Sequence, residues 1–340
     1  MTCPALRAIY IGWVGNNLFC RKGINDLPPN DNSMLEIHFS LDGNREDFTT
    51  SRPQRKEPSQ AMKTLLAIYS YNRPEALSNC LDSVRQLNEV CDVVVYDDRS
   101  TRPEMWDILS GCNYPVKEGP GSTGRHGGLY RNMQMAYDDA VLGGYDYLIN
   151  LQDDMQIVRP LNGSALRQYI ETIKSQDSVF LVDYRFTRSG YDGQFDEKLN
   201  GYVSMPEEKS YTYSDCGFFS VEKLKQFEWQ FDLFENTLKP NEKSLRAIAR
   251  NKRMRKVTAR TPIAMHIPFP ELFRNGLSLP RLSRFGRKLY RYETMDQEAI
   301  DRMDSRPPHE PPNFRNFLRF ENLSRWDSWL LRVSNDAKIF

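Results

Sequence analysis

From Thr64 onward the apolar positions of the chain fall into two alternating rhythms. Leu65-Leu-Ala-Ile-Tyr69 is a continuous apolar run, as expected of a strand buried on both faces. Pro74 suits the first position of a helix, and Leu77, Cys80, Leu81, Val84 and Leu87 recur at three- and four-residue spacing after it. Asp92-Val-Val-Val-Tyr96 is a second buried strand, so the segment is a βαβ unit with near-parallel strands. Leu129, Met133, Ala136, Tyr137 and Ala140 mark another amphipathic helix, which Gly143-Gly144 ends. Tyr147–Leu151 reads as a third strand, Leu161–Lys174 as a helix, and Ser178–Tyr184 as a further strand. The pattern predicts an α/β domain with a Rossmann-like, mostly parallel central sheet flanked by helices.

The strand ends carry the candidate chemistry. Tyr147–Leu151 stops abruptly at Gln152-Asp153-Asp154, and the second strand stops at Asp97-Asp98. Adjacent carboxylates at the mouth of a buried strand repel each other unless a cation accompanies them. In an open α/β sheet, ligands also bind at the carboxyl ends of strands. Oxygen-only ligation suits Mg²⁺ or Mn²⁺ held with a diphosphate. The competing reading makes Asp153 and Asp154 caps of the following turn or helix. The Gly-rich stretch 119–128 lacks the spacing of a dinucleotide fingerprint, and it serves equally as a connector or as a loop bringing Arg125 to a phosphate.

Outside this region the pattern weakens. Residues 1–61 are polar and punctuated, which predicts a peripheral, partly ordered extension. Pro307–Pro312 reads as a linker, and Phe314, Phe317, Phe320, Trp326, Trp329 and Leu330 beyond it suffice to dock on the body or on a partner. The expected division is therefore 1–61, 62–270 and 271–340. A net charge of +1 gives no global attraction to nucleic acid. Six cysteines without C-x-x-C pairing argue for a reducing compartment, and no apolar run reaches membrane-spanning length. The expected location is the cytoplasm. Eight Lys/Arg fall within 243–260, and residues 279–292 interleave basic with apolar side chains. That stretch suits either an ordinary solvated face or peripheral contact with anionic lipid headgroups.

Four motifs in order, Tyr71-Asn-Arg-Pro74, Tyr96-Asp-Asp-Arg-Ser100, Tyr130-Arg-Asn132 and Leu151-Gln-Asp-Asp-Met155, resemble the family-2-like glycosyltransferases of the GT-A fold. The resemblance covers roughly residues 63–270. It implies transfer of a sugar from a nucleoside-diphosphate donor, by default a UDP-sugar, to a glycan, lipid-linked or protein-linked acceptor, with inversion as the expected course. It implies a nucleotide-sugar site of Ser70, Tyr71, Asn72, Arg73, Asp97, Asp98, Arg125 and Asp153. Asp154 is then the first ligand of Mn²⁺ or Mg²⁺, and His266, at the end of a late strand, a second. Gln152 departs from the family's Asp-x-Asp pattern and offers an amide in place of a carboxylate.

An inverting reaction needs a carboxylate to take the acceptor's proton. Asn241-Glu-Lys-Ser-Leu-Arg246 is the best match to the family's base motif, which places Glu242 there, with Asp215 and Glu235 as rivals. Two other readings stand beside this one: a non-catalytic relative that binds a nucleotide sugar or a partner, and a sugar-phosphate nucleotidylyltransferase. The latter needs a Gly-rich basic loop straight after the first strand, where this chain has Tyr71-Asn-Arg-Pro74.

Overall fold

The computed structural model describes residues 9–14, 17–22, 62–87, 90–121, 128–187, 193–205, 216–231, 253–268, 289–321 and 323–324. The chain divides into two units, Met1–Pro58 and Ser59–Phe340. In the first, β1 (Ile9–Val14) and β2 (Asn17–Lys22) form an antiparallel hairpin with Val14 opposite Asn17.

The second unit is built on a nine-stranded sheet. In chain order its strands are β3 (Thr64–Ser70), β4 (Asp92–Asp97), β5 (Val116–Glu118), β6 (Tyr147–Gln152), β8 (Val179–Asp183), β9 (Gln194–Asp196), β10 (Gly201–Ser204), β11 (Gly217–Ser220) and β12 (Arg255–Ala259). Their spatial order is β5-β4-β3-β6-β11-β8-β12-β10-β9. Strands β5, β4, β3 and β6 run parallel, and so do β8 and β12; β11 and β10 run against their neighbours. Seven of the nine strands thus point one way, which is the mostly parallel α/β layout predicted. A separate two-stranded sheet pairs β7 (Met155–Ile157) with β13 (Ala264–His266), so His266 stands opposite Met155.

The continuous apolar runs are explained by burial on both sheet faces. Leu66 and Ile68 of β3 pack with Leu77, Cys80 and Val84 of helix α1 (Pro74–Val84), while Leu65, Ala67 and Tyr69 face the other way. There they meet Met133, Ala136, Tyr137 and Ala140 of helix α3 (Leu129–Leu142), which follows the short helix α2 (Pro103–Ser110) in the chain. Helix α4 (Gly163–Lys174) covers the first face through Leu166, Tyr169, Ile170 and Ile173. Its start is set by Asn162, whose side-chain oxygen accepts from the Ser164 and Ala165 amides. Gly143 caps α3, and Gly144 (φ +65°) reverses the chain in a left-handed conformation that glycine adopts without strain.

A third apolar cluster corrects the reading of 307–312 as a linker. Val158, Phe186 and Met265 of the sheet region are covered by Tyr292, Met295, Met303, Phe314 and Phe317. The intervening prolines are tied down: Thr187 N–H donates to the Pro312 carbonyl, the Tyr202 hydroxyl donates to the Glu310 carbonyl, and buried Arg306 donates to the carbonyls of Met303 and Glu310. Gln156 clamps the same segment, accepting from Tyr292 N–H (2.9 Å) and donating to its carbonyl (2.6 Å). Phe314 and Phe317 therefore dock on the same chain. Among the described residues no helix is long and apolar enough to cross a membrane. Cys80, Cys91, Cys112 and Cys216 are free thiols, and burial pushes that of Cys91 up to about 12.

Candidate functional site

Parallel register brings the predicted motifs to one end of the sheet. Ser70 pairs with Asp97 and Tyr69 with Gln152, so the loops leaving β3, β4 and β6 lie side by side although they are far apart in the chain. The first two loops are locked together. Asn72, left-handed at φ 52°, accepts from the Thr101 and Arg102 amides, and its own N–H donates to Ser100 Oγ. Asp97 accepts from the hydroxyls of Ser70 and Ser100 and from Ser100 N–H. These two residues build the rim of the site through loop geometry, and their side-chain bonds run to the protein itself.

Between the loops lies an open cleft with Ser70, Tyr71, Arg73, Asp98, Asn132 and Asp153 in its wall. Asp98 is buried, and its Oδ2 accepts from Gly128 N–H at the start of α3. Its Oδ1 is buried without a hydrogen-bond partner, and so is Oδ1 of Asn132 on α3. Both oxygens are closed to solvent, and Asn132 Oδ1 lies against Gly119, so a ligand reaches them only if this wall shifts. Burial, with Asp97 as a further contribution, raises the Asp98 carboxyl above the usual range despite the backbone hydrogen bonds from Gly128 and Gly121.

Asp153 and Asp154 are 4% and 6% exposed, at the turn from β6 into β7. A single buried guanidinium accompanies both: Arg73 Nη1 lies 3.0 Å from Asp153 Oδ1 and 2.5 Å from Asp154 Oδ2. The second oxygen of Asp153 accepts from Tyr71 N–H, and Asp154 Oδ1 lies 3.2 Å from His266 Nδ1. Burial alone raises the Asp154 carboxyl; Arg73 and His266 outweigh it and hold the group well below the usual carboxylate range. The cation demanded by adjacent carboxylates is, in this structure, Arg73. The predicted site residues Ser70, Tyr71, Arg73, Asp98, Asp153, Asp154 and His266 thus converge. Arg125, Asp215, Glu235 and Glu242 lie outside the described residues.

Charged neighbours extend the site in a direction the motifs did not indicate. His266 Nε2 lies 3.4 Å from Arg185 Nη1, and Arg185 grips Asp183 with Nε and Nη2 at 2.8 and 2.7 Å. Lys256, 2% exposed, reaches Asp183 from β12 at 3.3 Å. Burial opposes ionisation of Asp183, but Arg185 and Lys256 depress it well below the usual range. His266 thus lies between Arg185 on its Nε2 side and Asp154 on its Nδ1 side. The sequence did hold a signal for this group: Asp183 is a third carboxylate ending an apolar strand.

In kind, Asp154 and His266 suit a divalent cation: a hard oxygen and an imidazole nitrogen, with room for phosphate oxygens to complete the shell. Among the described residues no group of three His, Cys, Asp or Glu side chains forms a ready metal cage. Any metal here would share its ligands with Arg73 and with substrate.

No family model matches the chain, and no curated protein matches it. Solved structures do. Two crystal structures of S. aureus TarS are 16% identical with a TM-score of 0.44; the match covers 60% of this chain and 36% and 60% of those chains. The mannosyltransferase PcManGT from Pyrobaculum calidifontis, in complex with GDP-Man and Mn²⁺, is 15% identical with a TM-score of 0.39, over 69% of this chain and 64% of that one. This chain therefore spans less than two thirds of the length of these structures.

Proposed function

We propose that the chain is a glycosyltransferase that takes a sugar from a nucleoside-diphosphate donor, a UDP-sugar by default, and passes it to a glycan or glycoconjugate acceptor with inversion. The observation that carries this reading is the Asp153–Asp154 pair at the end of β6, adjoining a cleft that Asp98 and Asn132 line. Those two acceptors suit ribose hydroxyls or the N–H groups of a base. Tyr71 and Ser70 frame the same wall. Asp154 and His266 would hold Mn²⁺ or Mg²⁺, which when bound neutralises charge growing on the departing diphosphate. Arg73 pairs with both Asp153 and Asp154, and His266 lies between Asp154 and Arg185. The acceptor's proton goes to a carboxylate, with Glu242, Asp215 and Glu235 as the candidates and Arg125 as a further phosphate contact.

The test is a melting-temperature series with UDP, GDP, CMP and dTDP, each with and without Mn²⁺, followed by product detection with the matching sugar nucleotide. A ligand that binds the folded state raises Tm with occupancy. One nucleotide is expected to raise Tm only with metal, and Asp154→Ala and Asp98→Ala to abolish the shift. No shift with any nucleotide would refute the donor site; a shift without sugar transfer or donor hydrolysis would make the chain a binding relative.

A further inference from the structure

Every carboxylate oxygen of the Asp153–Asp154 pair already receives a protein donor: Tyr71 N–H and Arg73 on Asp153, Arg73 and His266 on Asp154. One nitrogen, Arg73 Nη1, serves both acids from within 3.0 Å, so the guanidinium sits where a bridging cation would sit. Its side chain is as buried as theirs, at 5% exposure against 5% and 8%. A guanidinium placed there solves the problem of two buried like charges without any metal. It also creates a conflict, because a dication entering the same position meets a fixed positive charge at close range in a poorly solvated pocket.

We infer that Arg73 is the resident counter-cation of the donor site, and that it yields its place to a divalent metal only when a diphosphate arrives to receive it. This rests on the reading of the cleft as a nucleoside-diphosphate site. Arg73 has the geometry for the exchange, since a guanidinium pairs with phosphate oxygens as readily as with carboxylates and Arg73 lines the cleft itself. Metal and nucleotide then bind as a coupled pair. The metal alone is opposed by Arg73, and the nucleotide alone finds the guanidinium engaged with the acids.

The decisive measurement is the affinity of the full-length chain for Mn²⁺ alone, read from the loss of the free-ion electron paramagnetic resonance signal, in wild type, Arg73→Gln and Arg73→Lys. Removing the guanidinium charge is expected to tighten Mn²⁺ binding by about tenfold or more, within the usual range of site-to-site coupling. Arg73→Lys, which keeps the charge but loses the fork, is expected to lie between wild type and Arg73→Gln, and adding Asp154→Asn to either variant to erase the gain. An Arg73→Gln protein that binds Mn²⁺ no better than wild type overturns the inference. So does a wild-type chain that takes up Mn²⁺ alone as tightly as it does with UDP or GDP present, a result that needs no variant to fold. Failure of the donor-site reading shows separately, as a wild-type chain that binds no nucleotide in the presence of Mn²⁺ while Arg73→Gln still gains metal affinity.

Discussion

Gln156→Leu isolates what one amide contributes to joining the C-terminal segment to the sheet. Gln156 is buried on β7, its Oε1 receives Tyr292 N–H at 2.9 Å and Asn79 Nδ2 at 3.3 Å, and its Nε2 donates to the Tyr292 carbonyl at 2.6 Å. Leucine fills nearly the same volume and makes none of these bonds. Each buried polar group that loses its partner costs about 1–3 kcal/mol. Two Tyr292 groups and one Asn79 donor are affected, and the leucine's own apolar transfer offsets about 1–2 kcal/mol. The expected net loss is about 2–4 kcal/mol, since the Asn79 bond is long. For a unit of this size that lowers Tm by roughly 3–7 °C. Tyr292 also donates its hydroxyl to the His266 carbonyl at 3.2 Å, so loosening it slackens the strand that carries His266. Thermal melts with urea titration give the global loss, and limited proteolysis within 289–321 gives the local one. A Gln156→Leu protein within about 0.5 kcal/mol of wild type would show that the bidentate clamp carries no net stability, as surface substitutions do.

Three further outcomes are expected. Asp183 ionises more readily folded than unfolded, so its contribution to stability is complete above the ordinary aspartate value of about 3.9 and is lost as pH falls through the lower folded value. The stability gap between wild type and Asp183→Asn should hold from neutrality to about pH 5 and close below it in urea melts; an unchanged gap at about pH 3 contradicts the assignment. Asp98 is shifted the other way by burial, so its ionised form costs stability at neutral pH, and Asp98→Asn is expected to raise Tm while losing nucleotide binding; a lower Tm argues that the carboxylate is structurally required. Gly119→Ala would set a Cβ 2.0 Å from Asn132 Oδ1 and 2.8 Å from its Cγ, which should cost about 1–3 kcal/mol and weaken nucleotide binding by pushing Asn132 out of place. A Gly119→Ala protein with unaltered Tm and nucleotide affinity would remove Asn132 from the site.

The central elements were legible because burial on both faces leaves an unambiguous apolar run. Leu65–Tyr69 and Val93–Tyr96 fall inside β3 and β4, and the glycines at 143–144 end α3 where expected. What escaped was short or non-local. Strand β11 is four residues, Gly-Phe-Phe-Ser, too brief for a period, and its reversed direction is fixed by pairing with β6 and β8 rather than by its own sequence. The prolines of 307–312 read as a connector because the bonds that anchor them come from Thr187 and Tyr202, more than 100 positions away. The candidate site divides in the same manner. Strand-end carboxylates are a local pattern and pointed to Asp98, Asp153 and Asp154. That Arg73 pairs with both acids of the second motif depends on β3 lying beside β6 in register, which no window of sequence contains. The N-terminal extension holds a two-stranded hairpin that its scattered polar composition did not announce.

The late-arriving cover over Val158, Phe186 and Met265 has a consequence for how the protein is made. Val158 is complete in the chain 160 positions before Leu318, the last residue of its buried cluster. At about 5–20 residues per second, synthesis leaves that apolar surface bare for roughly 8–32 s after the strand beside it has emerged. During this interval the nascent chain presents a sticky flank next to a half-closed β7–β13 ribbon, and the body cannot finish folding from its N-terminal portion outward. Translational pausing before residue 290 would lengthen the exposure, and a chaperone that shields aliphatic surface would matter most for products stalled there.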